Sequence, residues 1–147
     1  NIQVLELQAA MGRVQLRKTK QIKDARRKNY EYLRDNLGYH PDLIMPEILP
    51  GADVCWFSFP ITFTGERGPL LKHLEEKGIE TRPLFSGQIL AHPAYAYLKE
   101  GRDYRKSGNL EEAEYITRHS FWISCHPALS RCDLDYIADT FDDFFNE

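Results

Sequence analysis

Cysteine is scarce in this sequence. Its 147 residues include only Cys55, Cys125 and Cys132. The number is odd and the spacing is that of no metal finger, so a disulfide framework is excluded and a reducing, cytoplasmic setting is expected. No apolar run approaches the roughly 20 residues that a bilayer crossing needs, and no signal peptide is visible. Charge of one sign is also missing: 19 Lys and Arg stand against 22 Asp and Glu, for a net charge of −3 and a pI of about 6.0. A general nucleic-acid binder usually has a high pI, so that class is not expected. Zinc-ligand spacing, a Gly-x-Ser-x-Gly elbow and a glycine-rich phosphate loop are all absent. So are internal repeats and low-complexity tracts.

What remains is an ordinary globular composition, 42% hydrophobic, in a chain long enough for one core. Val4, Leu7, Met11 and Val14 recur at helical spacing, and Ile22, Arg26, Tyr30, Leu33 and Leu37 continue a similar stripe. The pattern predicts one long helix over residues 5–36, stopped at Gly38. Gly12 is its weak point, at a cost of about 1 kcal/mol. A helix this long links two bodies or packs beside a twin. The chain also begins on Asn, with the helical pattern starting almost at once. The expectation is therefore the tail of a longer protein, with residues 1–37 as an interdomain helix and 38–147 as the body.

Residues 39–53, with Pro41, Pro46 and Pro50, read as a surface crossing. Residues 54–64 are aromatic and β-branched and predict a strand, with an edge or bulge at Pro60. Gly68-Pro69 opens a short helix carrying Leu70, Leu71 and Leu74, closed by Gly78. Residues 79–83 form a second strand, and Pro93 starts a short helix carrying Tyr95 and Tyr97. Residues 101–108 are a charged, loose loop. Residues 110–119 are a helix with an acidic first turn, and residues 121–124 a third strand. Ser130 and Asp133 resemble a capping box that starts a final helix, with Leu134, Ile137, Ala138, Phe141, Phe144 and Phe145 inward. The sum is an α+β fold: a small antiparallel sheet of about three strands, packed by helices and preceded by the long one.

The functional signal is concentrated in residues 81–95. This stretch crowds Arg82, Phe85, Ser86, Gln88 and His92 around Gly87, with two prolines and no helical or strand period. Such a turn-rich mixture of donors reads as a binding loop on a scaffold. Arg82 offers a planar fork for phosphate or carboxylate, and His92 can titrate near neutral pH; a loop held by its own hydrogen bonds is the equally weighted alternative. The other histidines fit structural roles: His126 in a turn, His40 exposed before Pro41, and His73 and His119 on helices. Cys55, in an apolar strand, is expected to be a packed thiol. The basic run from Arg17 to Lys28 spreads round a helix and reads as a solvated face. The residues alone complete no catalytic set.

The first twelve residues, Asn1-Ile2-Gln3-Val4-Leu5-Glu6-Leu7-Gln8-Ala9-Ala10-Met11-Gly12, followed by Gln15-Leu16, resemble the signature of the DegT/StrS sugar aminotransferases. Gln3 departs from it where Lys or Arg is usual, and Leu5 where Ser or Thr would cap the helix, a loss of about 1 kcal/mol. His92 stands where Gln is common. Cys55-Trp56-Phe57-Ser58-Phe59-Pro60-Ile61-Thr62, the stretch from Thr81 to Gln88, Phe121-Trp122-Ile123 and Leu134-Asp135-Tyr136 resemble one branch, the CDP-4-keto-6-deoxyglucose 3-dehydratases of lipopolysaccharide and dideoxysugar synthesis. The resemblance implies the C-terminal small domain of a homodimeric enzyme of the aspartate-aminotransferase fold. It implies pyridoxal or pyridoxamine phosphate as cofactor, an electron sink for loss of the sugar 3-hydroxyl, bound mostly by a large domain upstream. It further implies that a histidine upstream replaces the Schiff-base lysine and that the iron–sulfur cysteines of the reductase-coupled members lie upstream too, a reductase being a partner in those members. Asn1 would reach the cofactor phosphate of the neighbouring subunit, and Arg82, Phe85, Ser86, Gln88 and His92 would face a nucleotide-sugar. A nucleotide-sugar aminotransferase of the same family, or a free-standing domain binding a nucleotide sugar or a partner protein, are the alternatives. Neither nucleic acid nor membrane is an expected partner.

Overall fold

The computed structural model describes residues 5–146; Asn1 lies outside them. Helix α1 runs Glu6–Arg17 and α2 runs Thr19–Leu37. The single helix expected from the periodicity is thus two, divided at Lys18 (φ −88, ψ −5). No glycine or proline explains the division, and Gly12, the expected weak point, lies undisturbed inside α1. The helices differ in what they bury. Asn29, Tyr30, Leu33 and Leu37 of α2 are buried, whereas α1 buries nothing. Gly38 ends α2 as its position predicts, with its N–H on the Arg34 carbonyl, but at φ −69 rather than in the left-handed region.

After α2 the chain forms β1 (Leu43–Ile44), β2 (Phe59–Phe63), α3 (Arg67–Glu76) and β3 (Arg82–Pro83). It then forms α4 (Glu111–His119), β4 (Ser120–Ile123) and α5 (Arg131–Asn146). The fold is α+β with a four-stranded antiparallel sheet in the order β1-β2-β4-β3. The additional strand is β1, two residues inside what reads as a surface crossing. Its pairing with Phe63 and Thr62 makes it a strand; no two-residue run has a period to read. β2 is shorter than its apolar run because residues 54–58 leave the ladder. Pro60 pairs in register with Trp122 of β4, while β1 stops alongside Thr62. The other flank of Pro60 is therefore open, which is how a proline is accommodated in an inner strand.

One sheet face packs on the helices. Phe59, Ile61 and Phe63 alternate inward on β2, joined by Phe121 and Ile123 of β4. Against them lie Tyr30, Leu33 and Leu37 of α2, Leu70 and Leu74 of α3, and Leu134, Ile137 and Phe141 of α5. Each such side chain, fully removed from water, stabilises by roughly 1.5–3 kcal/mol. Leu71, Phe144 and Phe145 pack at the margin. The capping box of α5 forms with both arms: the Asp133 N–H donates to Ser130 Oγ at 3.2 Å, and the Ser130 N–H donates to Asp133 Oδ2 at 2.7 Å. The Ser130 hydroxyl, which also donates to Asp133 Oδ2 at 2.7 Å, and the Ser130 N–H together hold the Asp133 carboxyl below the usual range.

Two expectations fail on tertiary grounds. His40 is only 9% exposed: its Nε2 lies 2.8 Å from Asp142 Oδ1 and its ring stacks on Phe145 at 4.3 Å. The return of α5 to the α2–β1 corner buries it, and adjacency to Pro41 carries no sign of that. Cys55 is exposed instead of packed, because residues 54–58 are not in the sheet; Cys125 is the buried thiol. Burial pushes the Cys125 thiol above its ordinary pKa.

Candidate functional site

β3 leaves the sheet beside Phe121 and Trp122 of β4, and the candidate loop starts there. The chain reverses in a turn closed by the Gly87 N–H on the Leu84 carbonyl at 3.2 Å. Phe85 and Gly87 both take left-handed backbone angles, φ 50 and φ 61. A glycine does so without strain, a phenylalanine rarely. Phe85 is 79% exposed. Two single turns of 3₁₀ helix follow, Ile89–Ala91 and Pro93–Tyr95. His92 caps the second by accepting the Ala94 N–H on Nδ1 at 3.2 Å, with Pro93 in the first position as the sequence predicts. The ring of His92 is thereby partly committed to the loop. The Arg82 guanidinium is exposed and donates to Glu80 Oε1, at 2.8 Å through Nε.

The structure thus brings Arg82, Phe85, Ser86, Gln88 and His92 onto one exposed loop. Among the described residues no hydrogen bond joins any two of them. The backbone of Gln88 is anchored from outside the loop, its N–H donating to Thr117 Oγ1 of α4 at 2.7 Å. Thr117 sits in the last turn of α4 and offers no signal in the sequence. The start of α3 braces the same place, since Arg67 donates to the Thr117 and Ser120 carbonyls.

Two clefts of the body lie away from this loop. One of about 420 Å³, between α2 and α5, is lined by Asn29, Tyr32, Leu129 and Arg131. Another of about 420 Å³ is lined by Arg27, Tyr30, Ile48 and Trp56. In the first, the Tyr32 hydroxyl donates to Asp135, and the Arg131 guanidinium lies 3.7 Å over the Tyr32 ring. The bond to Asp135 raises the pKa of Tyr32 and lowers that of the carboxyl. The basic run on α2 is not wholly a solvated face. Arg26 donates to the Trp56 and Phe57 carbonyls, and Lys23 and Arg27 pair with Asp53. The bond from Lys23 holds the Asp53 carboxyl below its ordinary value. His126 plays the expected turn role, accepting the Ala128 N–H at 3.1 Å. His73 and His119 bond the Thr140 and Phe63 carbonyls. Among the described residues no three His, Cys, Asp or Glu side chains gather where they could hold a metal, and no helix is long and apolar enough to cross a membrane. As placed, the loop can bind and orient a ligand; it contains no nucleophile–base pair.

The sequence pattern of the DegT/DnrJ/EryC1/StrS aminotransferase family matches residues 1–142. The lipopolysaccharide biosynthesis protein RfbH of Salmonella typhimurium is 34% identical over 99% of this chain and 33% of its own length. The dTDP-4-dehydro-2,6-dideoxy-D-glucose 3-dehydratase of Saccharopolyspora spinosa is 33% identical over 98% of this chain and 31% of its own. The chain spans about a third of the length of these curated relatives. Among solved structures, GDP-4-keto-6-deoxy-D-mannose-3-dehydratase of E. coli with bound hydrated PLP superimposes with a TM-score of 0.82 at 28% identity, covering 95% of this chain and 36% of that one. DesV of S. venezuelae, in complex with a ketimine intermediate, gives a TM-score of 0.82 at 25% identity, over 97% and 37%.

Proposed function

Since the chain belongs to the DegT/DnrJ/EryC1/StrS aminotransferase family, we propose that it is the C-terminal small domain of a nucleotide-sugar 3-dehydratase that uses pyridoxal or pyridoxamine phosphate. The reaction removes the 3-hydroxyl of a 4-keto-6-deoxyhexose in lipopolysaccharide or deoxysugar synthesis. The observation that carries this reading is that relatives aligned along 98% and 95% of the chain are named 3-dehydratases. A solved structure of one of them has the same fold over 95% of the chain.

This segment does not fit the cofactor as a site of its own. Its candidate loop contains no lysine, and with Phe85 79% exposed at its tip it offers no enclosed cradle for a cofactor ring. The proposal therefore leaves the cofactor and the reacting base to polypeptide outside this chain and assigns this chain no step through them. Asn1, outside the described residues, would reach the cofactor phosphate of a partner subunit. The chain's own part is to bind and orient. Arg82 and Gln88 would hold sugar hydroxyls or the nucleotide phosphates, with Ser86 and His92 as further polar contacts. Phe85 would cover an apolar face of the ligand and exclude water from it. The full protein would be a cytoplasmic homodimer, a location that the three free thiols support. A reductase partner belongs to this proposal only where the upstream polypeptide carries an iron–sulfur cluster.

The test is to incubate the full-length protein with a nucleotide-4-keto-6-deoxyhexose and no amino donor. Loss of water from C3 is expected. An amino sugar as sole product would replace the reading by that of a nucleotide-sugar aminotransferase, which the fold match to DesV also supports. Binding of a nucleotide sugar by this segment unaided, with no turnover in the full protein, would replace both by a binding module. Gln88→Ala should raise KM for the sugar more than it weakens cofactor binding.

A further inference from the structure

An exposed aromatic side chain with positive φ does not stay there by itself. Phe85 stands at φ 50 on the tip of the 84–87 turn with most of its surface in water, so no packing of its own ring fixes it. What restrains the turn comes from α4. Thr117 Oγ1 donates to the Ala113 carbonyl at 2.6 Å within the helix. That commits its proton and turns a lone pair toward the loop, where it accepts the Gln88 N–H at 2.7 Å. The Thr117 side chain also presses on Gly87. A Cβ at Gly87 would lie 2.5 Å from Thr117 Cγ2 and 2.7 Å from Oγ1, so only a bare Cα fits. One side chain thus grips the turn twice, by hydroxyl and by methyl, on the residues that follow Phe85. Its own backbone is fixed in turn by Arg67 of α3.

We propose that Thr117 is a positioning residue for substrate binding: it clamps Gly87 and Gln88 and so holds Phe85 in the strained geometry that presents its ring to the nucleotide sugar. This inference rests on the reading of the loop as substrate-facing. Thr117 itself touches no ligand and acts through Phe85. The left-handed turn is preorganised in the free protein, so substrate binding does not have to order it.

The experiment is steady-state kinetics of the full-length holoenzyme on a nucleotide-4-keto-6-deoxyhexose. The variants are Phe85→Ala, Thr117→Val, Thr117→Ser and the double variant Phe85→Ala with Thr117→Val. Thr117→Val keeps the side-chain volume and removes the hydroxyl. It is expected to raise KM about three- to tenfold, the span of one lost hydrogen bond, with kcat changed less than about twofold. Thr117→Ser keeps the hydroxyl but loses the methyl contact with Gly87, so its KM should fall between those of wild type and Thr117→Val. Phe85→Ala should raise KM as well, and the double variant should be no worse than Phe85→Ala alone, because a positioning residue has nothing left to position. A raised KM for Phe85→Ala with wild-type KM for Thr117→Val overturns the clamp and leaves the loop assignment standing. Additive effects in the double variant also overturn it. Wild-type KM for Phe85→Ala overturns the loop assignment, and the clamp with it. Should Thr117→Val fail to fold, Gly87→Ala probes the contact from the other side: the new Cβ must displace the turn, and unchanged KM there overturns the proposal.

Discussion

The first and last helices of the chain are both amphipathic by sequence, yet they end in opposite states. Helix α5 buries Leu134, Ile137, Ala138, Thr140 and Phe141 and begins in a complete capping box. Helix α1 buries nothing; Leu7, Met11 and Val14, spaced for one helical face, are all exposed. Its cap is half made: Gln8 Oε1 accepts the Leu5 N–H at 3.0 Å, and Leu5 has no oxygen to return the bond. A stripe of apolar residues states only that a face is available. Burial needs a second surface, and among the described residues α1 meets none. The stability of the body should therefore be concentrated in α5 and be indifferent to the apolar face of α1.

The sharpest way to break that comparison is a pair of truncations read by urea unfolding. Phe141→Ala should cost about 3–5 kcal/mol, as loss of a fully buried aromatic does, while Met11→Ala should stay within about 0.5 kcal/mol. Equal costs would mean that α1 is buried in solution. The C-terminal half of α5 gives the next effect. His40→Ala removes the contact to Asp142 and the stack on Phe145 and should destabilise by about 2 kcal/mol. Wild-type stability would mean that the end of α5 is not docked there. Smaller again are the caps. Ser130→Ala should cost about 1 kcal/mol by chemical denaturation. Leu5→Ser, which completes the half-made box, should raise helix content by circular dichroism and leave the urea midpoint of the body unmoved.

The smallest effect is that of pH near neutrality. Asp133 and Asp135, at the start of α5, have their carboxyls held below the ordinary 3.8 by hydrogen bonds from Ser130 and Tyr32. A folded-state value below the unfolded one adds stability that is fully present above about 3.8 and is lost as pH falls through the folded value. Urea midpoints should be nearly flat between about pH 7 and 5 and decline below about pH 4. A midpoint that dropped between pH 7 and 5 would point to other groups.

Much of this fold is legible in the sequence wherever the cause is local. Ser130 and Asp133 announce α5 because a capping box is made from four consecutive residues. Gly78, at φ 79, closes the turn after α3 because that backbone favours glycine. The acidic first turn of α4, with Glu111, Glu112 and Glu114, likewise reads correctly. Apart from the division of the first helix at Lys18, which nothing in the structure explains, the misreadings are non-local. β1 is a strand only because β2 lies beside it. His40 is buried only because α5 returns to it over about a hundred residues of chain. Cys55 is exposed because the ladder starts at Phe59 and not at Val54. The candidate loop was visible as a loop and as a cluster of donors, but Thr117 was not, since nothing in the helix around it differs from its neighbours.

Composition, capping and the period of apolar residues therefore determined which segments are helices, where α2 stops and α5 starts, and that one turn-rich stretch carries the donors. Tertiary structure alone decided which amphipathic faces are buried, which histidine and which thiol lie inside, and what grips the loop. The reason is physical. Backbone hydrogen bonds and caps are satisfied within a few residues, whereas burial, ion pairing and the clamping of a turn require surfaces that the chain brings together only when it closes on itself.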